Sequence, residues 1–209
     1  VGYLALGAFT GSNATAVGSG AADAATSATH LTAVGKAAAG AITEGLETTT
    51  VGSNSFAAVT TGDYNTGLGA YAGFQTTGQR NTFIGRYAGV YATTTDDCIA
   101  IGASALRGSD SAGDDSDNAT GNENIAIGNY ALDATTTGSG NIAIGHHAQG
   151  ALVDDLYNVA IGNYALRYNA LSGATVAIGY GALEDQNVAS ANNVAVGYKA
   201  ALNLSTGKE

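Results

Sequence analysis

With 209 residues, 31 of them glycine and none proline, methionine or tryptophan, the chain lies far from average globular composition. Seventeen acidic against seven basic side chains give a formal charge of −10, which argues against nucleic acid and anionic membrane surfaces, whose phosphates need a basic partner. A lone cysteine, Cys98, excludes an intrachain disulfide and any cysteine-rich metal site.

From the N-terminus onward, a strand-like tripeptide ends in glycine twelve times, at Gly7, Gly18, Gly35, Gly52, Gly69, Gly85, Gly102, Gly128, Gly145, Gly162, Gly179 and Gly197. Seven of the eleven intervals are 17 residues, and the others are 11, 16, 18 and 26. The residue before each glycine is aliphatic, from Leu6 and Val17 to Ile178 and Val196. Two places earlier stand Leu4, then Thr15, Thr32, Thr49, Thr66 and Thr82, then Ile99, Ile125, Ile142, Val159, Val176 and Val194. Between them sits alanine, except at Thr50, Gly67 and Phe83. Large, small, large is a period of two, so these tripeptides are predicted strands with the small residue on one face. Alanine three places after most of the glycines predicts a second, shorter strand.

A fixed short period predicts a stacked solenoid, one coil per repeat. The expected fold is all-β, a single β-roll over residues 1–209 with about twelve coils of about 17 residues, each glycine marking a bend where a Cβ would clash or φ is positive. Alanine suits the narrow interior. The large aliphatic face then needs a partner that a thin coil lacks, which predicts a homotrimer; the opposite facing is the alternative. Asparagine recurs four places before the glycine, at Asn65, Asn81, Asn124, Asn141, Asn158 and Asn193. Either a hydrogen-bonded ladder along the stack or a set of independent turn caps accounts for it. Cys98 falls in this column and reads as a small turn residue.

In these columns Asn124-Ile-Ala-Ile-Gly-Asn-Tyr-Ala131, Asn141-Ile-Ala-Ile-Gly-His-His-Ala148 and Asn158-Val-Ala-Ile-Gly-Asn-Tyr-Ala165 resemble the head repeats of trimeric autotransporter adhesins, the YadA-like head. The resemblance implies a trimer of left-handed parallel β-rolls that grips a host surface. The coils here are longer than that family's, with Thr-, Ser- and Gly-rich turns such as Thr135–Gly140. That variant is similar to repeats in bacteriophage tail fibres, which implies location on a virion, with a bacterial cell surface as the alternative. The absence of an initiator methionine, a signal sequence or a long apolar run leads us to expect a piece of a longer chain, with no membrane insertion in this segment.

Residues 107–123 break the period and form a predicted acidic loop insertion carrying five acids. Alternate carboxylates at Asp115 and Asp117, with Asp114 beside them, invite a calcium reading, but Ala119 stands at the third ligand position and no glutamate follows at the twelfth. A protruding solvated loop is the expectation. Tyrosines follow the glycines at Tyr71, Tyr87, Tyr130, Tyr164, Tyr180 and Tyr198. They either pack ring on ring along the bend or stack against sugar. For the pair His146-His147, alternation lets only one ring face a three-fold axis, and Asn, Tyr, Arg or Lys at the equivalent places marks an outer surface. No metal, cofactor or catalytic residue is expected, since no Ser/His/Asp grouping or phosphate loop emerges from the spacing. The expected function is non-enzymatic attachment to a host glycan or protein, neutral or cationic in view of the acidic charge. A structural spacer or virion decoration, contacting other fibre or virion proteins, is the alternative.

Overall fold

A computed structural model of the protein describes residues 1–108, 119–151, 154, 156–169, 173–186 and 192–202. In chain order the strands are β1 (Thr15–Val17), β2 (Thr32–Val34), β3 (Thr49–Val51), β4 (Thr66–Leu68), β5 (Thr82–Ile84), β6 (Ile99–Ile101), β7 (Ile125–Ile127), β8 (Ile142–Ile144), β9 (Val159–Ile161), β10 (Tyr168–Asn169), β11 (Val176–Ile178), β12 (Asp185–Gln186) and β13 (Val194–Val196). All but β10 and β12 join in one parallel eleven-stranded sheet, stacked in sequence order, and the chain is an all-β solenoid. The register is in phase throughout, as in Ile125↔Ile142 and Ile142↔Val159. A parallel neighbour therefore always meets the residue of its own column.

The small residue faces inward. Ala100, Ala126, Ala143, Ala160 and Ala177 are fully buried, while the residues on either side are half-buried or exposed. The outward face of the sheet is consequently an aliphatic and threonine stripe, with Leu68 48% exposed and Val194 74% exposed. Phe83 and Gly67 break the alanine column together. Phe83 stacks on Phe56 at 6.2 Å between ring centroids, and a Cβ on Gly67, Gly73 or Gly89 would run into one of these two rings. The glycines vacate the volume that the phenylalanines fill, so packing density is kept across three rungs.

Two expectations require correction. The first glycine of the register is Gly2, not Gly7: the Gly18 amide donates to Val1 O as the Gly35 amide donates to Val17 O. Leu4 and Leu6 lie in turns with φ of +56°, so the tripeptide Leu4–Leu6 is not a strand. With Gly2 the first interval becomes 16 residues instead of 11, and every register glycine from Gly2 to Gly197 has φ between +129° and +145°. The second correction concerns the alanine three places on. It lies in a turn, flanked by left-handed residues two and four places after the glycine, such as Tyr130 (+59°) and Leu132 (+52°). A second short strand does form at β10 and β12, but six and seven places after the glycine and not at the alanine.

The asparagine column is a ladder that runs chiefly through the backbone, with one direct amide step in which Asn141 Nδ2 donates to Asn124 Oδ1 at 3.2 Å. The amides of Asn81, Asn141, Asn158 and Thr175 donate to the side-chain oxygen of Asn65, Asn124, Asn141 and Asn158 at 2.9–3.0 Å. Asn65, Asn81 and Asn124 donate through Nδ2 to the carbonyls of Gly78, Thr95 and Gly138. Each buried amide thus ties its rung to the next. Cys98 takes a place in the same ladder: its amide donates to Asn81, and its Sγ accepts from the Asn124 amide at 3.4 Å. Burial pushes its thiol up to about 11, so it stays neutral and unreactive at physiological pH.

The sheet passes the 26-residue interval undisturbed, since β6 pairs with β7 in full register. The expected insertion 107–123 is described only at its ends. Residues 109–118, with Asp114, Asp115 and Asp117, lie outside the described residues. The ends meet: a Cβ on Gly108 would be 3.0 Å from the Ala119 amide nitrogen, and Ala119 bridges to Ala92 of the rung below. Replacing residues 109–118 by one glycine restores a 17-residue interval and is expected to shift Tm by less than ~4 °C in a circular-dichroism melt, because loop length alters closure entropy little. A larger fall would show that the segment stabilises the stack.

Candidate functional site: an aromatic column with a gap

One place per rung, two residues after the glycine, projects from the bend in a left-handed conformation. Tyr71, Tyr87, Tyr130 and Tyr164 occupy it with φ of +59° to +62°. Stacking brings successive residues of this column face to face. Tyr71 and Tyr87 are 5.3 Å apart. Tyr130 stacks on His147 at 4.9 Å with an interplanar angle of 9°, and His147 on Tyr164 at 6.0 Å and 12°. Tyr180 and Tyr198, one residue nearer their glycines, extend the run at 5.8 and 5.6 Å. The rings pack on one another and still meet solvent, Tyr130 being 41% and Tyr198 74% exposed. The structure therefore joins all six expected tyrosines, together with His147, in two blocks along one edge.

The alternation expected for His146 and His147 fails, because both are turn residues. Their rings are 4.3 Å apart, edge to face, and both contact Tyr164. Burial, with His146 and Arg167 nearby, holds His147 below the ordinary histidine range. No group of three His, Cys, Asp or Glu side chains lies close enough to hold a metal among the described residues.

Cations gather on this edge, which the composition did not reveal. Arg86 lies 4.3 Å over the Tyr87 ring and donates to its hydroxyl at 3.1 Å. Arg167 sits over both Tyr164 and Tyr168, Lys199 over Tyr198, and Arg107 over Tyr91. Four of the seven basic side chains of an acidic protein thus line one aromatic strip. Tyr91 and Arg107 were overlooked because they stand five or six places after their glycines, outside the tyrosine columns that the repeat makes visible.

Between the two aromatic blocks the column holds Ser104 instead of a ring. There a cleft of about 340 Å³ opens, bounded by Tyr87 and Tyr130, floored by Ser104 and Val90, and edged by Arg86, Tyr91 and Arg107.

On the rung of Tyr130, Asp133 is half-buried, and its enclosed Oδ1 lacks a hydrogen-bond partner. Burial pushes this carboxyl up to about 6, while Arg107 and Arg167 pull the other way. Its folded pKa exceeds the unfolded value, so the protonated form is the favoured one. That stabilisation is complete below pH ~4 and is lost as pH rises to about 6. Discounted for partial solvation, the ionised group costs about 1–2 kcal/mol. Asp133→Asn is expected to raise Tm at pH 7.5 and to leave it unchanged at pH 4; equal Tm values at both would remove the burial argument.

Among the described residues no helix is long and apolar enough to cross a membrane. Comparison with protein-family models, with curated proteins and with solved structures finds no match to this chain.

Proposed function

We propose that this chain is a non-enzymatic module of a homotrimeric fibre that attaches to a host cell surface, as a left-handed roll in a phage tail fibre or related virion appendage. The observation that carries the reading is the outward stripe of the eleven-stranded sheet. Its aliphatic residues, Ile84, Ile101, Ile127, Ile144, Ile161 and Ile178, run without a break from β5 to β11 and are only half covered by their own chain. Isolated monomers seldom keep so continuous an apolar face open, and three-fold closure would bury it. A shaft of this kind repeats every exposed feature three times, so weak contacts along the aromatic edge gain avidity. The resemblance of the repeats to adhesin heads and tail fibres supports the same use, with the bacterial surface adhesin as the sister case.

A structural spacer, with only other fibre or virion proteins as neighbours, is the second reading. It is favoured by the tyrosines' contacts with each other, because a ring that stacks on its own chain needs no ligand to explain it. Alanine at both Tyr130 and Tyr164 separates the two. On the attachment reading, saturable binding of the purified protein to host cells falls several-fold while Tm moves by less than ~4 °C. If Tm falls and binding does not, the column is packing and the module is a spacer.

A further inference from the structure

We infer that five threonines on the outward face of β1–β5, Thr15, Thr32, Thr49, Thr66 and Thr82, are the element that selects how two further copies of this chain dock. They fix the copies' orientation and rung-to-rung register through rings of three hydroxyl groups. The inference rests on the trimer reading and adds to it which residues choose the arrangement.

These hydroxyls are unspent in the single chain. Threonines in the turns donate to a carbonyl of the next rung, as Thr10, Thr26, Thr43, Thr77 and Thr120 do. Those on the sheet face are exposed or half-buried. Among the described residues none of their five hydroxyls has a partner in its own chain. Nor can they serve one another along the stack. The register sets Thr15 beside Thr32, and so on to Thr82. In like rotamers that leaves successive oxygens about 4.8 Å apart, beyond the reach of an O–H···O bond of about 2.7–2.8 Å. The partner lies across the face: water for an isolated chain, another chain in an assembly.

Three-fold closure supplies it. A hydroxyl has one proton to donate and can also accept. Three of them at one height close a ring in which each donates to the next, and no proton is left over. Two across a dyad share a single bond, and the second proton finds no acceptor in the pair. A buried hydroxyl without a partner is penalised, so the ring is the arrangement that the interface favours.

The same column changes chemistry once. Five threonine rungs are followed by six aliphatic ones, from Ile99 in β6 to Val194 in β13. Parallel copies at equal height match threonine with threonine and aliphatic with aliphatic. An antiparallel copy sets all five threonines against aliphatic side chains. A parallel copy shifted by one rung sets Thr82 against Ile99, and an offset contact of that kind does not close on itself. The aliphatic rungs therefore supply affinity and the threonines exclude wrong arrangements, as single polar residues do in coiled-coil seams.

Native mass spectrometry and dipolar EPR on the full chain test this, with a spin label at Ser19→Cys, an exposed site at the β1 end. Cys98 is buried and stays unlabelled. Parallel copies hold the labels at one height, whereas an antiparallel pair separates them by ten rungs, roughly 48 Å. The wild type is expected to be a trimer with short distances only. Thr32→Val, Thr49→Val and Thr66→Val together keep the β-branched shape, so the chain should fold and associate at least as tightly. Distances near 48 Å, or species other than the trimer, should then rise several-fold. Thr→Ser at the same three positions keeps the hydroxyls and should keep the single arrangement, as should Thr26→Val with Thr43→Val in the turns. A valine variant that remains a trimer with short distances only overturns the inference and leaves the trimer. A serine or turn variant that scrambles as the valine variant does overturns it too, because the sheet hydroxyls are then not what selects. Loss of association in the valine variant would make the hydroxyls a source of affinity and overturn the division of roles. A wild type that forms no trimer removes the trimer reading, and this inference with it.

Discussion

Replacing Gly145 by alanine is expected to break the solenoid in its middle, lowering stability by about 3–5 kcal/mol. Two costs add. The residue has φ of +139°, where an L side chain is strained by an amount on the order of 1–3 kcal/mol. A Cβ there would also lie 2.5 Å from the carbonyl of Gly162, a backbone atom fixed by the next rung. Pushing rungs apart to admit it costs about 1–3 kcal/mol more, as other overpacking does. The companion variant Gly197→Ala separates these effects. Its φ is similar, +132°, but the nearest atom to its Cβ is Ala200 Cβ at 3.9 Å. Only the conformational strain remains there, so its Tm should fall by clearly less. Because each rung contacts only its neighbours, Gly145→Ala should also split the melt into two transitions. Equal losses for the two variants would show that rung-to-rung contact at the glycine is not what limits the sequence.

The period made the fold legible because every rung repeats the same physical problem. An in-register parallel stack places each residue on its own column, so column statistics are packing statistics. That is why alanine at Ala126 or Ala143 correctly marked the interior. The reading failed where the local conformation is unusual. Alternation was assumed after each glycine, which made a strand of the alanine column and put His146 and His147 on opposite sides. Left-handed residues at every second place undo that alternation, and sequence carries little sign of them when they are Tyr, Leu or His. The same assumption displaced the first glycine to Gly7, since Leu4-Ala5-Leu6 imitates a strand tripeptide. As for the candidate site, the tyrosines were visible as columns, but the gap was not. Ser104 is an unremarkable residue, and it acquires meaning only when Tyr87 and Tyr130 are known to stand directly below and above it.

Replacing Ile144 by aspartate is expected to abolish assembly. In the single chain Ile144 is half-buried on the outward face of β8, so a carboxylate there keeps water within reach and costs the isolated rung little. In the proposed trimer three such carboxylates would face one another in an apolar interface, and an isolated buried charge is penalised by many kcal/mol unless it is neutralised. Each chain also forfeits the burial of an isoleucine, about 1.5–3 kcal/mol. Light scattering reads the outcome directly: wild type as a trimer, the variant without one. The adjacent Ala143 supplies the contrast. Its side chain is fully buried inside the coil, so Ala143→Asp should unfold the rung whether or not chains associate. If subunits depend on each other for folding, as a thin core of alanines implies, Ile144→Asp also loses its circular-dichroism melt at low micromolar concentration. A folded monomeric variant would keep the interface but remove that dependence. A wild type that scatters as a folded monomer, or a variant that remains trimeric, would mean that the aliphatic stripe is not where the chains meet.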